Sequence, residues 1–67
     1  MKHLVLIKMI DVRIHNLKGM IQNHTYCVEA NIMSDYHTKE KNTCEEELTI
    51  LQRHREIIFD NYLLFNT

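Results

Sequence analysis

Gln52, Glu56 and Asp60 stand four residues apart, with Arg53 beside the first of them. At 100° per residue, this spacing puts a carboxamide, two carboxylates and a guanidinium on one stripe of a helix. Glu45 and Thr49 fall on the same third of the circumference. Such a group can orient a water for attack on a phosphoryl centre, provided another protein supplies the pocket. An ordinary solvated face carries the same residue types. Arg53 and Glu56 also have the i,i+3 spacing of a simple helical ion pair.

Two other constellations bear on chemistry. His24, Cys27, His37 and Cys44 make up a Cys2His2 inventory for tetrahedral zinc. No CxxC or HxxxH pair anchors it, so no metal and no cofactor is expected. Cys44 follows Thr43 at an expected helix start, where a thiol becomes more acidic. Glu45, Glu46 and Glu47 oppose that effect, and a chain of 67 residues offers no deep pocket for thiol catalysis. Cys44 therefore reads as a plain helix-start residue. With two cysteines, the chain has too few for a disulfide scaffold. Both are expected as free thiols.

These side chains need helices to position them. Ile7, Ile10, Ile14, Leu17, Ile21 and Val28 step by threes and fours, with His24 between the last two, which is the seam of an amphipathic helix. Residues 3–14 are rich in β-branched side chains and would also suit a strand. The three-four spacing outlasts a normal strand, so a helix over about 3–33 is expected. "SDYHTKEKNT", residues 34–43, reads as a polar connection. Thr43 and Glu46 then form a capping box, with the glutamates near the positive end of the helix dipole. A second helix is expected over about 44–65, with Leu48, Leu51, Ile58, Tyr62 and Phe65 facing inward and Arg55 interrupting the seam, either at its rim or paired with a glutamate of the facing helix. Proline is absent and glycine occurs once, which excludes a turn-rich β fold. The fold class is all-α: an antiparallel two-helix hairpin, one domain over 1–67.

The second helix carries apolar residues around much more of its surface than one partner helix can cover. A chain this short also builds only a small core. A homodimer forming a four-helix bundle, or docking on another protein, is therefore expected. Eight basic against nine acidic residues give a net charge of −1, without the basic footprint of a nucleic-acid module. No apolar run reaches the ~20 residues of a membrane span. "MKHLVLIKMIDV" opens like a signal peptide, but Lys8 and Asp11 interrupt it and no small-residue cleavage site follows. The expected location is the cytoplasm, where the sequon "NHT" at 23–25 has no meaning.

In its stripe, the second helix resembles the small sporulation-control aspartyl-phosphate phosphatases of bacilli. These are helical hairpins with an SQELD-type motif in a frame L-S-Q-x-L-D-x-L-I-x-x-Y. "LQRHREIIFDNY" keeps Leu51, Ile58, Phe59 and Tyr62 at the framing positions. The family's first helix often reads I-x-x-L-R-x-x-M, and "IHNLKGMI" offers Ile14, Leu17, Lys18 and Ile21. The motif itself is altered. Gln52 stands at its Ser, Arg53 at its Gln, Arg55 at its Leu and Glu56 at its Asp, and the connection reads as longer. The resemblance implies loss of phosphate from the aspartyl-phosphate of a response-regulator receiver domain. Glu56 and Gln52 would be the catalytic residues, and Arg53, Asp60 and Thr49 would bind the partner. The altered motif keeps open a non-catalytic interaction module: an inhibitor of phage or plasmid type, or a dimeric assembly protein.

Overall fold

A computed structural model describes residues 2–65 as two α-helices, α1 (Lys2–Glu29) and α2 (Ser34–Phe65). They pack against each other along their length as a rod of 51 × 14 × 12 Å. The all-α hairpin is as expected, and residues 3–14 are helix. Among the described residues there is no strand.

The α1 seam is the one its periodicity predicts. Ile7 and Leu17 are buried, and Ile10, Ile14, Ile21, His24 and Val28 are half-buried. On α2 the facing stripe runs through His37, Lys41, Cys44, Leu48, Leu51, Arg55, Ile58 and Tyr62, again in threes and fours. Among the described residues, Leu17 is the one fully buried large side chain, at 0% exposure. Two bidentate ion pairs bridge the helices beside the seam. Arg13 donates to Glu47 at 2.7 and 2.9 Å, and Arg55 donates to Asp11 at 2.5 and 3.3 Å. Both are half-exposed, so they fix register more than they add stability.

The connection differs from the expectation. Residues 34–43 are not a loop but the first turns of α2, and the turn is only residues 30–33. Thr43 is therefore mid-helix and caps nothing. Its hydroxyl donates back to the Lys39 carbonyl, and the capping box with Glu46 does not form. The stretch is polar, yet it holds no Gly or Pro to stop a helix. Asp35 supplies the acidic residue of the first turn.

The chain turns without glycine. Asn31 has φ 57°, its N–H bonds the Val28 carbonyl, and the Ile32 N–H bonds the Cys27 carbonyl. This is the Schellman ending, with Asn in the left-handed position usually held by Gly. Met33, at φ 45°, is a more costly occupant. Its carbonyl accepts the first bond of α2, from the His37 N–H.

Two stability outcomes follow from this packing. Leu17→Ala should cost about 2–5 kcal/mol, as large as a core of this size supplies, and abolish the helical circular-dichroism signal at room temperature. Met33 is exposed, so Met33→Gly relieves backbone strain without losing packing. It should raise the melting temperature, by the equivalent of about 1 kcal/mol. A lower melting temperature would show that Met33 is not held at positive φ.

Candidate partner-binding ridge

All six residues of the predicted stripe, Glu45, Thr49, Gln52, Arg53, Glu56 and Asp60, are exposed. They lie on the back of α2, away from α1. From Glu45 to Asp60 the ridge is about 22 Å long, at 1.5 Å per residue. The seam makes this geometry: with Cys44, Leu48, Leu51, Arg55 and Ile58 turned toward α1, positions one step removed must face outward.

The ridge residues are not alike. The Thr49 hydroxyl donates to the Glu45 carbonyl at 3.0 Å, which turns it back onto its own helix. The Glu45 carboxylate lies 3.9 Å from Lys41. Gln52, Arg53, Glu56 and Asp60 take part in no hydrogen bond or ion pair among the described residues. In particular, the i,i+3 pair of Arg53 with Glu56 does not form. A shallow, open depression lined by Asn42, Glu45, Glu46 and Thr49 marks the N-terminal end of the ridge.

A convex ridge can present a carboxamide and a carboxylate one helical turn apart, but it cannot exclude water from them. Chemistry at Gln52 and Glu56 therefore requires a pocket on another molecule.

Arg55, at the altered motif's leucine position, is no loose rim residue. It is half-buried and bidentate on Asp11. The acidic residue opposite is an aspartate of α1, 44 positions earlier, and nothing local in the sequence marks it. The other cross-helix pair perturbs its carboxylate. The hydrogen bond from Arg13, helped by its charge and opposed by burial, holds Glu47 below the ordinary carboxylate range. Stability from this pair is thus present above the usual glutamate range and is lost as pH falls through the lowered value.

Only half of the zinc inventory comes together. His24 and His37 meet across the helices, Nδ1 to Nδ1 at 2.8 Å. Cys44 lies seven residues beyond His37, about 10 Å further along the helix. No group of three or more His, Cys, Asp or Glu converges among the described residues. Both cysteines are free. Cys44 is not at a helix start as expected; it is buried within α2. No described helix is long and apolar enough to cross a membrane.

Comparison with family models, with curated proteins and with solved structures returned no match.

Proposed function

We propose that this chain is a small regulatory protein that docks its α2 ridge on a signalling protein of the receiver-domain class, in the manner of response-regulator aspartyl-phosphate phosphatases that restrain sporulation. The observation that carries this reading is the state of the ridge. Gln52, Arg53, Glu56 and Asp60 are exposed on one stripe and unengaged within the hairpin, while the chain's other two arginines, Arg13 and Arg55, are both committed to carboxylates. The short turn and the two long helices suit insertion of that stripe into a cleft. Gln52 orients a water and Glu56 accepts its proton. The water oxygen bonds to phosphorus as the bond to the aspartyl oxygen breaks, releasing phosphate and a free carboxylate. Arg53 meets the anionic site, and Asp60 and Thr49 contact its rim. This activity belongs in the cytoplasm, which the free thiols suit.

The test is to incubate the protein with a panel of phosphorylated receiver domains and follow loss of label. Acceleration of hydrolysis should fall about 100-fold in Glu56→Ala, the scale of a lost proton acceptor. No acceleration by the wild type on any receiver would overturn the catalytic role and leave a binding module.

A second reading concerns the chain's own copies and rests on a different observation. The accessible surface is 5404 Å², against roughly 4500 Å² for a compact monomer of this mass. The excess is close to the ~800 Å² that each partner gives to a standard interface. Ten of the sixteen exposed large apolar residues, among those described, lie within 4–12 and 57–65. They form a collar at the open end of the hairpin that includes Leu4, Leu6, Met9, Ile57, Phe59 and Leu63. An occupant needed to complete the fold must be present wherever the chain is, and a second copy meets that condition. We propose a homodimer joined through the collar into a four-helix bundle. Sedimentation equilibrium at tens of micromolar should give twice the monomer mass of 8.1 kDa, and Leu6→Lys with Ile57→Lys should return it to the monomer. A monomer mass for the wild type would refute the dimer.

A further inference from the structure

His24 and His37 face each other at the closed end of the hairpin, and neither the ridge nor the collar uses them. Their Nδ1 atoms are 2.8 Å apart and the bond is partly buried. The ring centroids are 5.0 Å apart, close to the N···N distance plus two ring radii, so the nitrogens meet nearly head-on. A bond of this kind needs one Nδ1–H and one bare Nδ1. The two rings must therefore be in different tautomers, one protonated at Nδ1 and the other at Nε2.

That asymmetry fixes how the pair takes up protons. The first added proton goes to Nε2 of the donor ring. The bond survives and gains the strength of a charged donor. A second proton can only go to the accepting Nδ1, and there it removes the lone pair and sets two imidazolium rings against each other. The groups around the pair offer no relief. On α1 the nearby titratable residues are Tyr26 and Cys27; on α2 they are Asp35, Tyr36, Glu40 and Lys41. Tyr36 packs its edge on His37, and Lys41 pairs with Glu45. Among the described residues, no carboxylate lies within 4 Å of either ring nitrogen.

We propose that the His24–His37 pair is an acid-sensitive latch between the two helices, held by a single shared proton and released when both rings become cationic. Its setting favours a local response. The latch lies beside the turn in which Asn31 and Met33 are held at positive φ, so losing it frees the closed end. The Arg13–Glu47 and Arg55–Asp11 pairs grip the helices further along. Glu47 keeps its charge below the ordinary carboxylate range, so mild acid opens the latch while that pair stays closed. The direction follows from proton counting. The unfolded chain accepts two protons on these rings, and the latched state accepts one, so stability falls as the second proton binds.

Two measurements test the latch. A two-bond nitrogen–proton correlation spectrum of labelled protein at about pH 7.5, above the ordinary imidazole range, should show one of the two rings in the Nδ1–H tautomer. Both rings in the Nε2–H form would overturn the proposal. Thermal melts between about pH 7.5 and pH 5 should show the wild type losing stability in acid. His24→Asn puts a non-titrating amide near the Nδ1 position and should keep the fold while flattening that loss. Glu40→Gln removes a carboxylate one helical turn from His37 and should leave the loss in place. An acid response of equal size in His24→Asn and the wild type would refute the latch.

Discussion

Each helix gives the other a single stripe of side chains, and the register of that stripe governs everything else. Among the described residues, Leu17 is the one large side chain wholly removed from water, with Ile7 and Cys44 close behind. Around them the seam is interrupted by His24, His37, Lys41 and Arg55. An all-leucine seam would bury more area but would tolerate sliding by a turn. Paired polar groups do not, because a slip breaks their bonds. The two arginine–carboxylate pairs and the histidine pair occupy three levels of the rod. Together they admit one alignment, at modest cost in stability.

The ridge inherits its position from that alignment. A rotation of α2 by one residue would carry Gln52 and Glu56 together about 100° around the helix axis, off the outward stripe they share. The fold thus constrains the ridge without using it. The ridge residues lend almost nothing to the hairpin, and the apolar seam residues are buried or half-buried.

Helix periodicity made the fold class and the α1 seam legible, because Ile7 to Val28 keep an unbroken three-four step. The same rule made the ridge legible, since helical spacing alone decides which residues share a face. The start of α2 was not legible. Its first seam positions are His37 and Lys41, whose polarity hides the period, and residues 34–43 therefore resemble a linker. Polarity is no helix breaker, however. What stops α1 is Asn31 in the left-handed region, a single residue without a neighbouring Gly or Pro, followed by Met33, which carries no turn signal at all. The Asp11–Arg55 and His24–His37 contacts were out of reach for another reason. They depend on the pairing of the two helices, which becomes known only when the turn is placed.

Separating folding from function has a consequence for how this chain is probed. Substituting Gln52, Arg53 or Glu56 removes side chains that touch nothing else in the hairpin, so any effect on a partner is an effect on contact or chemistry. Substituting collar residues mixes two effects, because Leu6 and Ile57 flank the seam near its open end, and their loss from a dimer also weakens each hairpin. The seam residues mix them further still. Arg55 stands where the resembling family places a motif leucine, yet here it grips Asp11. A substitution there that abolished activity would report a shifted α2, with the ridge turned away from its target, before it reported anything about catalysis.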